Sequence, residues 1–390
     1  MTPAARYQAA IEILDDIQSG KAAERALTSW GRRSRFAGSG DRAAVRDHVF
    51  EVLRQKQSLA ILGGGAAGRQ LVLGLLRKNG VPEVDVFTGQ GHAPAALSDT
   101  ERQAGRDLAD VPDDVRLDCP AWLWPDFQRS LGAQVETILE ALQSRAPVHL
   151  RVNLRKSDVE SAIKALARDG IEVAAHPLSP TALEVRTGAR KIRQSAAYVN
   201  GQVELQDAAS QAVVDLLPKP TRVLDLCAGG GGKSLAIAAQ SDAQVFATDI
   251  NAGRMSDLPE RLDRAGADIH LLEWDAVDAS GPYDLVLVDA PCSGSGAWRR
   301  QPEAKWTLTP ERLDELVAIQ ADVLNKAARL TAEEGNMAYV TCSMIDRENE
   351  QAIEQFVKRT PTWTRARTKQ FTPVDGGDGF FIALLSRQKS

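Results

Sequence analysis

Two of the chain's four cysteines stand where a thiol can do chemistry. Cys292 follows the run Tyr283-Asp284-Leu285-Val286-Leu287-Val288-Asp289 by way of Ala290-Pro291, and Cys342 follows Asn336-Met337-Ala338-Tyr339-Val340-Thr341. Both runs read as strands, and open α/β sheets bind their ligands outside the carboxyl ends of the strands. Neighbouring strands lie about 4.8 Å apart, so if these two are adjacent both sulfurs reach one pocket. A free cysteine is ordinarily a small buried hydrophobe. Two of four at the ligand edge is unlikely by chance. Asp289 adds a carboxylate able to hold an amino group or ring nitrogen of a base. No Cys-x-x-Cys pair occurs, so zinc-ligand spacing and a disulfide framework are both missing; all four, Cys119 and Cys227 included, are expected to be free thiols, with no metal.

The second constellation is a glycine loop. A strand ending in Asp225-Leu226 runs into Cys227-Ala228-Gly229-Gly230-Gly231-Gly232-Lys233-Ser234, after which helical periodicity begins. Glycines at that place let a ligand touch the backbone, and a helix N-terminus favours anionic groups. A P-loop fails because Cys227 stands where its first glycine belongs, and the dinucleotide pattern from Gly229 fails at Ser234. Asp249, at the end of the next strand, stands where an acid takes ribose hydroxyls, and Asp275 follows the third strand. One strand-end aspartate is usually a cap or turn residue. Loop, Asp249 and Asp275 in order imply a nucleoside with a charged tail, with S-adenosylmethionine the leading case.

Such positions need a frame. From about residue 208 strands (222–226, 245–249, 269–273, 283–289, 336–341) alternate with helices (233–239, 254–265, 310–330, 348–358), which predicts a parallel sheet covered on both faces. Segments 363–371 and 380–385 around a turn-rich 373–379 predict a closing hairpin. Upstream, Val148, Leu150, Val152 and Leu154 alternate with His149, Arg151, Asn153 and Arg155, a half-buried strand with a basic outer face. A helix over 158–168 and strands near 171–173 and 183–185 complete a small α+β domain. Residues 1 to about 110 show only helical spacing (Tyr7, Ala10, Ile11, Leu14, Ile17; Val45, Val49, Val52, Leu53), and 109–125, with Pro112, Pro120 and Pro125, predicts a linker. The expected domains are 1–115, 120–205 and 206–390.

With 43% hydrophobic and 25% charged residues the 390-residue chain is an ordinary globular composition. The net charge of −5 argues against a nucleic-acid partner, but residues 145–193 hold ten Arg or Lys against five acids, which is +5 and a weak pointer to a polyanion. Arg299, Arg300, Lys305 and Trp306 mix cations with an aromatic, as single-stranded RNA channels do. Arg32, Arg33 and Arg35 near Arg42 are a weaker case of the same kind. No run approaches 18 apolar residues, and Glu12, Asp15 and Asp16 interrupt any export signal, so a cytoplasmic protein is expected.

These motifs together resemble those of the bacterial Sun or RsmB-type RNA (cytosine-5) methyltransferases of the NOL/NOP/Sun group, over nearly the whole chain. That family has a NusB-like helical N-terminus, a small RNA-binding module and a methyltransferase domain whose first loop is usually Cys-Ala-Ala-Pro-Gly-Gly-Lys. The chain matches at Asp225, Cys227, Ala228, Gly231, Gly232 and Lys233, at Gln206-Asp207 and at Ala209-Ser210-Gln211. It matches again at Asp289-Ala290-Pro291-Cys292-Ser293-Gly294, Thr341-Cys342-Ser343, Glu348-Asn349-Glu350 and Asp378-Gly379-Phe380-Phe381. Gly229-Gly230 in place of Ala-Pro removes a rigid φ and predicts a looser loop.

The resemblance implies a Rossmann-like α/β domain with a seven-stranded, mostly parallel sheet, preceded by an α+β ferredoxin- or RRM-like module and an all-α NusB-like domain. It implies S-adenosylmethionine-dependent methylation of cytosine carbon 5 in RNA, ribosomal RNA first, by a monomer with no DNA or membrane partner. Cytosine carbon 5 is a poor nucleophile until a thiolate adds to carbon 6; by resemblance Cys342 is that thiolate, Cys292 assists its later elimination, and Asp289 and Lys233 hold the polar edge of the base. At an ordinary thiol pKa of about 8.5 only roughly 3% would be ionised at pH 7. The cofactor site would take Cys227, Ala228, Gly229, Gly230, Gly231, Gly232, Lys233, Asp249, Arg254, Asp275 and Asp289. The same core would serve a transfer RNA, and a ribosome-assembly or RNA-binding factor with a decayed cofactor loop is the non-enzymatic alternative.

Overall fold

A computed structural model describes residues 1–388, which form two compact units: 1–145 with 298–307, and 146–297 with 308–388. The first unit is helical. Helices Pro3–Gln18, Ala23–Arg33, Ser39–Arg54, Lys56–Gly63 and Gly68–Lys78 bury Leu14, Trp30, Val49, Val52, Leu59 and Leu75 in one core. Thr2 accepts the Ala5 amide and Pro3 fills the first helical position, so the first helix is capped locally. The next-to-last of these helices is capped from a distance: buried Asp118 accepts the amides of Gln57 (2.8 Å) and Ser58 (3.0 Å) and the Ser58 hydroxyl (2.7 Å). Burial pushes the Asp118 carboxyl pKa up. Leu117, Cys119 and Leu123 of the segment 109–125 are buried as well, and the two compact units divide at 145/146.

The segment 298–307, which follows Cys292 in sequence, lies in this helical unit. Trp306 donates its indole N–H to the Leu53 carbonyl (2.6 Å), Lys305 donates to the Arg54 carbonyl (2.9 Å), and Arg54 donates to the Arg299 carbonyl (2.7 Å). Arg299 and Lys305 are both only 4% exposed, and burial lowers the Lys305 pKa to about 8. For three of the four residues of the expected RNA channel this is a correction: Lys305 and Trp306 saturate helix-end carbonyls that have no intrahelical donor and Arg299 is buried with its carbonyl accepting from Arg54, while Arg300 is exposed.

The second unit holds two sheets. In the smaller, β1 (His149–Val152), β2 (Glu172–Ala175), β3 (Ala182–Thr187) and β4 (Val203–Leu205) pair antiparallel in the order β2-β3-β1-β4, beside the helix Val159–Arg168. Leu150, Val152, Leu166, Leu183 and Val203 form its core. The basic face expected of β1 is not outward: His149, Arg151 and Asn153 are buried at 3%, 2% and 3% exposure. Their polar atoms are spent on the larger sheet's surroundings, Asn153 on the Ala265 carbonyl (2.8 Å) and Arg151 on that of Gly232 (2.8 Å). Arg155 and Lys156 likewise donate to the carbonyls of Ser241 (3.0 Å) and Arg264 (2.7 Å). Of the +5 segment, Arg145, Lys164, Arg168, Arg186, Arg190, Lys191 and Arg193 remain exposed.

The larger sheet contains β5 (Arg222–Asp225), β6 (Gln244–Ala247), β7 (Ile269–Leu271), β8 (Tyr283–Asp289), β9 (Thr331–Thr341), β10 (Trp363–Phe371) and β11 (Phe380–Arg387), in the order β10-β11-β9-β8-β5-β6-β7. β5 to β9 pair in parallel and the terminal hairpin antiparallel. Leu285, Leu287, Ala338 and Val340 face the helix Gly232–Gln240, while Val286, Val288, Met337 and Tyr339 face the helices Pro310–Leu330 and Glu350–Arg359. Both faces being covered explains the unbroken apolar run of β8. The helix expected over 254–265 is regular only over Leu258–Ala265, because Pro259 fits only in its first turn; a 3-10 turn, Ala252–Met255, precedes it. Among the described residues no single helix is long and apolar enough to cross a membrane.

Candidate active site

Strand order reverses between β5 and β8, since β6 and β7 continue on one side and β9 on the other. Such a switch point opens a crevice at the carboxyl edge. The glycine loop leaves β5 there, the first cysteine loop leaves β8, and the second leaves β9.

β8 and β9 are neighbours in register, Asp289 beside Val340, and the Ala290 amide donates to the Val340 carbonyl (2.8 Å). The two sulfurs lie 3.5 Å apart and both residues are half-buried. A disulfide needs about 2.05 Å, so these are two thiols in contact. The Cys292 pKa is raised well above its ordinary value, by its hydrogen bond with Cys342 first, then by burial and by the charges of Cys342 and Glu348. Cys292 is therefore held as the thiol.

Glu348 fixes that spacing. Fully buried, its carboxylate accepts the Ser293 amide (2.8 Å), the Gln320 side-chain amide (3.0 Å) and the hydroxyls of Ser293 and Ser343. One residue thus ties together the segments that follow Cys292 and Cys342. Asn349 accepts the Thr341 hydroxyl (2.6 Å) and donates to the Ser343 carbonyl (2.9 Å), bracing the second loop from its other side. The sequence motif containing Glu348 was visible, but a role for it was not, because its donors come from residues up to 55 positions away.

On the other flank Lys233 is 7% exposed and its Nζ lies 2.7 Å from Asp289 Oδ2 and 5.1 Å from the Phe380 ring. Burial works against the ammonium charge, but Asp289, Asp225 and Cys342 outweigh it and the Lys233 pKa is raised. A lysine merely solvated at the start of a helix is excluded by that burial. Asp225 is buried beneath the loop, and burial pushes its pKa up to about 7; Ser234 donates to Oδ2, while Oδ1 has no hydrogen-bond partner. Cys119 and Cys227 are buried thiols whose pKa values burial raises, to about 12 for Cys119 and further for Cys227, so neither is a nucleophile.

The glycine loop is ordered by backbone and by Asp249. Gly229 and Gly231 adopt φ of +51° and +74°, and a Cβ at Gly231 would stand 2.3 Å from Leu258 Cδ1, so side chains are barred there. Asp249 Oδ2 accepts the Gly229 amide (2.9 Å) and lies 3.2 Å from the Arg254 guanidinium, while Oδ1 accepts only the Asn251 amide (2.9 Å). A carboxylate oxygen has two lone pairs, so Oδ1 retains acceptor capacity. Ile250, next to it, leaves 72% of its surface exposed, an apolar face the sequence reading passed over although it directly follows a strand-end acid. Asp275 is exposed beyond β7. Ala228, Gly230 and Gly232 complete the loop. These residues fit a nucleoside cofactor: a side-chain-free loop at a helix N-terminus, an acid with spare acceptors and an apolar face lie at consecutive strand ends.

Residues 213–386 match the family model described as 16S rRNA methyltransferase RsmB/F, and residues 119–190 match that of the RsmF/B-like ferredoxin-like domain. Ribosomal RNA small subunit methyltransferase B of Xanthomonas campestris pv. campestris is 31% identical over 392 residues, covering 88% of this chain and 89% of the relative. The enzyme of that name from Klebsiella pneumoniae subsp. pneumoniae is 34% identical over 289 residues, covering 70% of this chain and 66% of the relative's length. In fold, the chain is similar to the crystal structure of PH0851 (TM-score 0.76, 23% identity, 99% of each chain) and to a methyltransferase homolog protein from Pyrococcus horikoshii (TM-score 0.62, 22% identity, 75% of this chain and all of that one).

Proposed function

Because the chain belongs to the RsmB/F family of 16S rRNA methyltransferases, we propose that it methylates carbon 5 of a cytosine in small-subunit ribosomal RNA, with Cys342 as nucleophile and Cys292 as the base that releases it. The observation that carries this reading is the pair of thiols 3.5 Å apart beside the buried Lys233–Asp289 ion pair. S-adenosylmethionine, when bound, supplies the electrophilic methyl group. Asp249 Oδ1 would take ribose hydroxyls, Ile250 the adenine face, and the amides of the glycine loop the charged tail.

The chain's own groups divide the remaining work. Cys342 Sγ bonds to carbon 6, and the displaced electron pair reaches carbon 5 and the ring's polar edge. Lys233, held as ammonium, donates a hydrogen bond to the base carbonyl that gains this density, and Asp289 Oδ1 accepts from the exocyclic amine. After methyl transfer, carbon 5 carries both methyl and hydrogen. Loss of that proton to Cys292 restores the ring double bond, breaks the carbon–sulfur bond and returns Cys342 as thiolate. Timing follows from the sulfur contact. While Cys342 is free, its hydrogen bond and charge keep Cys292 protonated; once Cys342 is alkylated both influences vanish and the Cys292 pKa falls, making its thiolate available when elimination needs it.

The test is transfer of labelled methyl from S-adenosylmethionine to undermethylated small-subunit RNA, read as 5-methylcytidine after digestion. Product from this RNA supports the reading; product from transfer RNA alone moves the substrate, and cofactor binding without product from either refutes the enzyme.

A further inference from the structure

Resting on that cofactor reading, we propose that Arg254 and Arg261 are positioning residues that hold Gly229-Gly230 in the cofactor-binding conformation, replacing by side-chain contact the stiffness that Ala-Pro gives the loop this one resembles. A Gly-Gly pair has more freedom to lose on ordering than Ala-Pro, by roughly 2- to 5-fold in population per position. Yet this loop cannot be Ala-Pro in its present shape. Gly229 has φ +51°, outside the extended region to which a residue before proline is confined.

The volume those two side chains would need is occupied. A Cβ at Gly229 would lie 3.2 Å from Arg254 Nη2, and one at Gly230 would lie 3.0 Å from Arg261 Nη1. Arg261 also donates to the Gly230 carbonyl. Each guanidinium is itself held. Arg254 Nη1 is 3.2 Å from Asp249 Oδ2, the oxygen that takes the Gly229 amide. Arg261 Nε lies 3.5 Å from Glu204 Oε2 on β4, an oxygen shared with Arg264 at 2.7 Å, and Glu204 is 6% exposed. Buried Arg151 of β1 donates to the Gly232 carbonyl (2.8 Å) at the far end of the loop. The small sheet therefore sets the cofactor loop, through Arg151 directly and through Glu204 by way of Arg261. The looseness expected from Gly229-Gly230 alone is countered by these clamps.

The test is a cycle of variants measured by calorimetric titration with S-adenosylmethionine, together with hydrogen exchange on cofactor-free protein. Arg261→Ala should weaken cofactor binding about 10-fold, the loss of one hydrogen bond from a charged donor at a partly exposed site. Arg261→Lys, which keeps the charge near Glu204 but lacks the planar fork, should recover only part of it. Introducing Gly229→Ala with Gly230→Pro should weaken binding in both backgrounds, because of the Gly229 φ and Arg254, but less in Arg261→Ala, where the guanidinium that meets residue 230 is gone. Such coupling between position 230 and Arg261 is not expected of a residue that merely stabilises the fold. Amides 229–232 should exchange about 10-fold faster in Arg261→Ala, with β8 and β9 unchanged as the control for folding. Wild-type affinity and exchange in Arg261→Ala, or equal weakening by Ala-Pro in both backgrounds, overturns the proposal. A wild-type chain that binds no cofactor while Arg261→Ala still speeds loop exchange overturns the cofactor reading instead.

Discussion

Glu348→Ala should separate the two cysteines from their common brace. Alanine removes the acceptor of the Ser293 amide and of one Gln320 side-chain N–H, the other donating to the Pro291 carbonyl (2.9 Å), in a site of no solvent exposure, while the Ser293 and Ser343 hydroxyls, 3.3 Å apart, can turn to each other. Two buried unpaired donors at about 1–3 kcal/mol each give a loss of about 2–6 kcal/mol, a large part of the ~5–15 kcal/mol that stabilises a domain. Glu348→Gln keeps one carbonyl oxygen for both amides and offers an NH2 to hydroxyls that can accept, so its cost should be about 1 kcal/mol. Urea unfolding measures both. In folded Glu348→Ala, misplacement of the thiols by about 1 Å should slow single-turnover methyl transfer roughly 10²-fold, and cofactor affinity should be unchanged because Glu348 touches none of the glycine loop. Glu348→Ala within about 0.5 kcal/mol of wild type and with unaltered turnover refutes the reasoning; a Glu348→Gln as damaged as Glu348→Ala shows that charge, not spacing, is what the site needs.

Three further outcomes follow from the same geometry. Lys233→Met should reduce turnover by about 10²–10³-fold with the fold intact, since Asp289, at 35% side-chain exposure, keeps water when it loses its partner; a loss under 3-fold in kcat would exclude an electrostatic role. Asp225 has a folded pKa of about 7 against the ordinary 3.8, so the native state binds its proton more tightly and this carboxyl costs stability increasingly as pH rises from about 4 to 7. Asp225→Asn should therefore gain stability relative to wild type, by a few kcal/mol, between pH 5 and pH 8 in paired urea melts; parallel stability curves contradict it. Cys342→Ala removes the leading cause of the raised Cys292 pKa, so iodoacetamide at pH 8 should alkylate Cys292 faster than in wild type, resolved by peptide mass spectrometry; an unchanged or slower rate contradicts the sulfur coupling.

What could be read from residues alone was whatever a local period or a compact motif encodes. The five parallel strands and the closing hairpin follow from apolar runs punctuated by turn residues, and β8 and β9 lie where the run 283–289 and the run 336–341 put them; that the two are neighbours, which brings Cys292 to Cys342, comes from the strand order and not from the runs. Burial of a polar face by a distant partner leaves no such mark. β1 alternates as a half-exposed strand does, yet Arg151 and Asn153 meet carbonyls 81 and 112 residues away. Asp118 stands among the prolines of the expected linker but caps a helix about 60 residues upstream. Lys305 and Trp306 look like a solvated cationic loop and are bound to helix-end carbonyls more than 250 positions earlier. Within the site, the thiols, Lys233, Asp249 and Asp289 were legible by type and place. Glu348, Ile250 and Arg261 were not, since their value lies in what they face.

The most direct test of the central claim is covalent. Cys292→Ala protein is incubated with undermethylated small-subunit RNA and S-adenosylmethionine and run on a denaturing gel. With Cys342 able to add to carbon 6 and no thiol to take the carbon 5 proton, a slow-migrating, nuclease-sensitive protein band should accumulate and should be missing when Cys342→Ala is added. A band that persists without Cys342, or none from Cys292→Ala with an RNA that the wild type methylates, would contradict the division of labour between the two cysteines.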